Sequence, residues 1–68
     1  MKHDFQQRVI EEHDELRSKI QKLNRFLMEN LVASLPLDEK NRLIIQQGIM
    51  YSYAEILRQR IEAFGEID

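Results

Sequence analysis

Three polar side chains interrupt the apolar pattern of this 68-residue sequence: Lys19, Gln46 and Tyr53. They supply a cationic donor, an amide and an aromatic ring. If the two halves of the chain fold back on one another, these groups meet near the more basic end. Such a set suits noncovalent binding, because ammonium and amide groups donate hydrogen bonds and a ring offers an apolar face. Glu12 and Arg60 hold equivalent positions towards the other end, where we expect a half-buried ion pair.

Residues that usually carry covalent or metal chemistry are sparse. The sequence has no cysteine, which excludes disulfides, thiolate zinc sites and cysteine nucleophiles. His3 and His13 are ten residues apart and do not share a helix face. No catalytic-triad order, glycine-rich phosphate loop or paired-carboxylate motif occurs. The acidic run at 11–15 is typical of a solvated helix face, so we expect no enzyme, no metal site and no cofactor.

Two long helices must position these residues. Residues 4–30 contain neither glycine nor proline, and their apolar residues recur every seven positions, which predicts an α-helix. Residues 31–35 are the predicted connection. Residues 36–64 carry a second heptad pattern and open with Pro36, a residue tolerated in a first helical turn. Helices joined by so short a connection run antiparallel, so the predicted fold is all-α, a two-helix hairpin forming one domain over 1–68.

The hairpin predicts which residues face each other. The numbers of facing residues should sum to about 69, which pairs Phe5 with Phe64 and Leu16 with Tyr53. Each pair is apolar or aromatic, so the two heptad patterns agree in register. Gly65 is the expected end of the second helix, because glycine is the residue most favoured just after a helix C-terminus.

The second helix carries more apolar residues than one partner helix can cover. Exposing an isoleucine forgoes about 1.5–3 kcal/mol of burial, and a chain this short makes a marginal monomer. We therefore expect the hairpin to assemble into a homo-oligomeric helical bundle. The expected interface comprises Ile44, Ile45, Gly48, Ile49 and Ile56.

Charge and hydropathy limit the remaining classes of function. The net charge is −2, which argues against a nucleic-acid polymer as partner, although six of the ten basic residues fall within 17–42. No apolar run reaches the length of a membrane span, and the first residues lack an apolar signal core. We expect a cytoplasmic protein with no membrane partner.

Short segments spread over roughly residues 5–62 carry a family resemblance. In the first helix they are Arg8-Val9-Ile10-Glu11-Glu12, Glu15-Leu16, Lys19-Ile20, Lys22-Leu23 and Phe26-Leu27. In the second half they are Ser34-Leu35-Pro36, Leu43, Gln46, Met50, Tyr53, Glu55-Ile56-Leu57 and Arg60-Ile61. Together they resemble a family of small helical-hairpin proteins of tailed phages, including crAss-like phages. These proteins are similar to the hairpin of phage anti-CBASS and anti-Thoeris sponges.

The resemblance implies a non-catalytic role in immune evasion, in the cytoplasm of an infected bacterial host. Sponges of this kind are homo-oligomers, often hexamers. They bind cyclic dinucleotides, cyclic trinucleotides or cyclic ADP-ribose-type signals between subunits and withhold them from the host effector. Arginine and lysine would hold the phosphates, and an aromatic or guanidinium face would stack the bases. The candidate ligand-binding residues are Arg8, Lys19, Lys22, Gln46, Tyr51, Tyr53 and Arg60.

A second hypothesis is a structural or adaptor hairpin. It would bind a protein partner through the apolar face formed by Ile45, Ile49 and Ile56, and it predicts an oligomer or hetero-complex without a small-molecule site. The acidic charge balance argues against a nucleic-acid binder, and the lack of catalytic motifs argues against an enzyme.

Overall fold

The structure is a computed structural model that describes residues 4–29 and 33–67, with side chains up to Gly65. Two helices, α1 (Asp4–Met28) and α2 (Leu37–Ile67), pack side by side. The molecule is a rod of 50 × 15 × 14 Å. The predicted all-α hairpin is confirmed. Within the described residues, neither helix combines the length and apolar character that crossing a membrane requires.

The ends of both helices differ from the predicted bounds. α1 ends at Met28, where the Glu29 N–H bonds to the Phe26 carbonyl (3.1 Å) and tightens the last turn. At the start of α2 the Lys40 N–H bonds to the Pro36 carbonyl (3.1 Å). Pro36 therefore caps α2 from just outside it, rather than occupying its first turn. Asn30, the predicted end of the first helix, and residues 31–32 of the predicted connection lie outside the described residues.

The prediction that Gly65 ends the second helix is wrong. α2 continues through Gly65 to Ile67, and no glycine in the described ranges has a positive φ. A glycine cap requires the left-handed conformation, which glycine permits but does not impose. The extension adds most of a turn beyond the predicted end.

The core is a narrow strip along the seam between the helices. Its centre is Leu57, which is completely buried. At the open end the rings of Phe5 and Phe64 meet edge to face with centroids 5.8 Å apart, which confirms that predicted pair. The buried apolar residues are Val9, Leu16, Ile20, Leu57 and Phe64.

Facing positions shift along the rod. Tyr53, predicted to face Leu16, is 43% exposed, and the core is filled by Leu57 instead. Towards the connection, Asn24 bonds to Gln47, two residues beyond the position that the expected pairing gives. An α-helix has 3.6 residues per turn, so a seven-residue pattern drifts by about 20° per heptad. The row of α2 residues that faces α1 therefore no longer includes Tyr53.

Candidate functional site

The seam between the helices is open on two sides, and different polar residues lie on each. Residues three, four or seven apart share a helix face. On one side, Arg17 of α1 and Tyr51 of α2 line a groove, and we call this side of the hairpin the groove side. The opposite side carries Lys19 of α1 and Tyr53 of α2. Lys19 is two residues from Arg17, and Tyr53 is two residues from Tyr51. Because two residues turn a helix by more than half a circle, each lies on the other flank of its helix.

A groove with a volume of about 410 Å³ runs along the groove side. This volume falls in the range of about 300–1,000 Å³ that is usual for small-molecule sites. The groove is open to solvent along its length, and its floor includes the side chains of Ile20 and Ala54. Its polar wall is formed mainly by His13, Arg17, Asn24, Tyr51, Glu55 and Arg58.

A chain of amide hydrogen bonds fixes Tyr51 in this groove. Asn24 Nδ2 donates to Tyr51 Oη (2.7 Å), and Gln47 Nε2 donates to Asn24 Oδ1 (2.5 Å). Both ends of the Asn24 amide are therefore engaged across the seam. Because the Tyr51 oxygen accepts a hydrogen bond, its own O–H remains available as a donor.

Arg58 is the centre of a charge cluster on the same wall. Its Nε donates to Glu55 Oε2 (2.9 Å), and its Nη1 donates to Glu62 Oε1 (2.6 Å). The hydrogen bond from Arg58, helped by one from Gln59, lowers the pKa of Glu55 from 4.5 to about 2. The same pairing raises the pKa of Arg58. Glu55 therefore stays ionised at neutral pH, and the charge of Arg58 is largely balanced.

Arg17 lies on the facing wall without such a balance. Among the described residues, the ion pairs do not include Arg17. His13, also in the groove, has its Nδ1 3.9 Å from Asp14 Oδ1 and a side chain that is only 15% exposed. With His13 neutral, Arg17 and Arg58 contribute two positive charges and Glu55 one negative charge, so the lining carries a net charge of +1.

Only one of the seven predicted ligand-binding residues, Tyr51, lines the groove. The remaining six are exposed, and no hydrogen bond or ion pair in the described part of the chain joins any two of them. Gln46 donates to Met50 Sδ on its own helix (3.9 Å). The six are Arg8, Lys19, Lys22, Gln46, Tyr53 and Arg60.

The expected ion pair between Glu12 and Arg60 is not formed. Both residues are exposed, and no ion pair in the described ranges joins them. The shift of the inward line that exposes Tyr53 also carries Arg60 outward, because the two residues are seven apart on one flank of α2.

Sequence reasoning missed Asn24 and Arg58 as groove residues, and Gln47 as the hydrogen-bond partner of Asn24. The available signal was weak: Asn24 and Gln47 are amides at similar heights on facing helices, and neither belongs to a known motif. Their contact depends on the register near the connection, which the heptad patterns alone placed two residues away.

The expected interface residues do not all share one face. Ile45, Ile49 and Ile56 line the opposite side of α2 at spacings of four and seven, and they are 52–64% exposed. We call these three residues the isoleucine stripe. Ile44 is also exposed but lies towards the groove side, seven residues before Tyr51. Gly48 lies between the two flanks, and a Cβ there would meet nothing within 4 Å.

The part of the chain that the structure describes contains no cluster of metal-ligating side chains. No three histidine, aspartate or glutamate side chains converge there in a group that could hold a metal ion. The acidic residues of α2 near the groove are instead occupied by Arg58.

The family model of Sequestin matches residues 3–63 of the chain. The chain belongs to the Sequestin family. It is also 40% identical over 60 residues to an uncharacterized 7.5 kDa protein from the denB–rIIB intergenic region of Enterobacteria phage T4. That alignment covers 88% of this chain and 94% of the phage T4 protein. No solved structure matches this Sequestin chain.

The Sequestin match spans α1 and nearly all of α2, so the groove and the isoleucine stripe both lie inside the shared region. The phage T4 relative is of similar length, since the alignment covers almost all of both chains. The predicted resemblance to a family of small phage proteins is confirmed at this level.

Proposed function

We propose that the protein is a phage sponge that binds and withholds a cyclic nucleotide immune signal without catalysis. The single observation that carries the proposal is the Sequestin match over residues 3–63, because the name of that family denotes sequestration. The ligand class comes from the resemblance of the heptad segments to anti-CBASS and anti-Thoeris sponges and to the small proteins of crAss-like phages. The proposed ligand is a cyclic di- or trinucleotide or a cyclic ADP-ribose-type molecule, bound in the host cytoplasm.

The surface chemistry of the hairpin suits such a ligand. Guanidinium groups bind phosphate oxygens through paired, charge-assisted hydrogen bonds, and a ring that stacks on a base contributes about 1–3 kcal/mol. The described surface offers the half-exposed ring of Tyr51. Two guanidinium groups, those of Arg17 and Arg58, line the same groove as this ring.

A homo-oligomer, such as a hexamer, is part of the proposal. A rod 15 × 14 Å in cross-section is too thin to enclose a nucleotide, whereas small-molecule sites usually bury about 70–90% of the ligand surface. A second copy would supply the missing wall. The isoleucine stripe supports this arrangement, because its three side chains would be removed from water by a neighbouring hairpin.

Isothermal titration tests the proposal directly. The purified chain is titrated with a panel of cyclic dinucleotides, cyclic trinucleotides and cyclic ADP-ribose isomers, and we expect saturable binding of at least one. The bound ligand is then released by denaturing the protein and compared with the starting compound by mass spectrometry. Recovery of intact ligand is expected. Absence of binding across the panel, or release of a cleaved product, would overturn the proposal.

A second candidate, a structural or adaptor hairpin, is favoured by the exposure of the isoleucine stripe alone. The titration above separates the two ideas, because the adaptor has no small-molecule site, and light scattering on the purified chain tests whether a second copy covers the stripe. A mass that is a multiple of 8.2 kDa supports self-association through the stripe, and we expect Ile49→Glu to lower that mass while helicity is retained. A stable monomer would favour the adaptor, whose stripe stays uncovered until a different protein binds.

A further inference from the structure

We infer that the groove side binds the phosphate-bearing part of the sequestered nucleotide, with Arg17 and Tyr51 as its donors. The inference rests on the proposed function and deepens it by giving the ligand a place. Of the seven residues expected from the sequence, six are exposed and do not line this groove. Four observations carry it: a preorganised hydroxyl, an unbalanced guanidinium, an ionised acceptor and the shape of the groove.

The hydroxyl of Tyr51 is held in place before any ligand arrives. Asn24 donates to its oxygen, and Gln47 holds the other end of the Asn24 amide. This chain crosses the seam, so it ties both helices to the position of one phenol. A group fixed in its bound position loses less conformational freedom on binding. The O–H of Tyr51 is a hydrogen-bond donor that can bind a phosphate oxygen.

Arg17 is the cation in this groove that can turn to a ligand without breaking an existing pair. Arg58, the other guanidinium in the lining, already spans Glu55 and Glu62. The ion pairs of the described residues leave Arg17 out. Arg17 and Tyr51 come from different helices and line the same groove. An anion between them would therefore receive donors from both walls.

The remaining lining suits the rest of a nucleotide. Glu55, held ionised by Arg58, still presents a carboxylate whose oxygens accept more than one hydrogen bond each. Such an acceptor fits the exocyclic amino group of a purine. Ile20 and Ala54 give the floor an apolar surface under a base. Phosphate, amino group and flat ring are thus each met by a group of suitable chemistry within one groove of about 410 Å³.

Paired variants on the two sides of the hairpin test this placement. Arg17→Gln and Tyr51→Phe alter the groove side, while Arg8→Gln and Tyr53→Phe make the same chemical changes on the opposite side. Each variant is titrated with those panel members that the unmodified chain binds, and its helicity is compared by circular dichroism. Charged hydrogen bonds of this kind correspond to losses of about tenfold to a hundredfold. We expect such a loss for Arg17→Gln, a smaller loss for Tyr51→Phe and less than a twofold change for both controls.

The outcomes separate the two levels of the proposal. If the unmodified chain binds no panel member, the proposed function fails and the placement fails with it. If it binds and the opposite-side variants lose as much affinity as the groove-side variants, the function stands and the placement is overturned. Should a groove-side variant lose helicity, ligand-induced NMR shifts in the unmodified chain decide. Shifts centred on Arg17 and Tyr51 support the placement, and shifts centred on Arg8 and Tyr53 overturn it.

Discussion

Leu57→Ala and Ile49→Ala each delete three carbon atoms from α2, and the structure predicts very different costs. Leu57 is completely buried at the seam, whereas Ile49 is 64% exposed. If the hairpin core is as described, the first variant creates a cavity between α1 and α2. The second removes a side chain that stands mostly in water.

The magnitudes follow from burial. Truncating a buried leucine to alanine costs about 2–5 kcal/mol, and a chain of this length has a total stability of about 3–10 kcal/mol. Leu57→Ala should therefore remove about half of the free energy of unfolding, or more. Ile49 has only about a third of its surface out of water, so Ile49→Ala should cost about 0.5–1 kcal/mol in a single hairpin. The better helix propensity of alanine offsets part of that cost.

Urea unfolding followed by circular dichroism measures both costs. At the lowest workable protein concentration, we expect the Leu57→Ala midpoint to fall far below that of Ile49→Ala. As the concentration rises, the unmodified chain should gain stability through the isoleucine stripe, and Ile49→Ala should gain less. Equal midpoints for the two variants at low concentration would refute the seam described here.

Three further predictions concern single side chains. In the unmodified chain Glu55 should titrate near its lowered pKa of about 2, and Arg58→Gln should return that pKa towards 4.5, as followed by NMR of the carboxyl. The stabilisation from this pair is present above about pH 4.5 and is lost as the pH falls towards 2. If Arg58→Gln leaves the pKa of Glu55 unchanged, the contact is contradicted. Gly48→Ala should raise the free energy of unfolding by up to about 1 kcal/mol, and the thermal midpoint with it, because an added Cβ meets nothing within 4 Å. A lower thermal midpoint would show that another chain packs against this position. Asn24→Ala should lower the free energy of unfolding by about 1 kcal/mol, because its side-chain hydrogen bonds are lost. Gln21→Ala, in the same groove, should leave it nearly unchanged. Equal losses for the two variants in urea unfolding would contradict the amide network.

The sequence was sufficient to predict the hairpin and the contact at its open end. Heptad spacing fixes the inward face of each helix locally, and the pair Phe5–Phe64 follows from folding two such faces together. The end of α2 was mispredicted, because glycine at position 65 is compatible with a helix as well as with a cap.

The candidate site was much less accessible to the same reasoning. The expected cluster of Lys19, Gln46 and Tyr53 assumed that a heptad line stays on the seam along the whole rod. The drift of a regular helix against that line moves Tyr53 out and brings Asn24 opposite Gln47. A difference of two residues in register is enough to bring a different pair of polar side chains together across the seam.

The edge-to-face contact between Phe5 and Phe64 has a mechanical consequence. It lies at the end of the rod where α1 begins and α2 ends, and the end of α1 and the start of α2 lie at the far end. A force applied between the termini would load this aromatic pair first and then open the seam one layer at a time. The hairpin would resist such pulling with only its outermost contact at any moment, however stable it is towards urea. Self-association along the isoleucine stripe would add resistance that a single hairpin lacks.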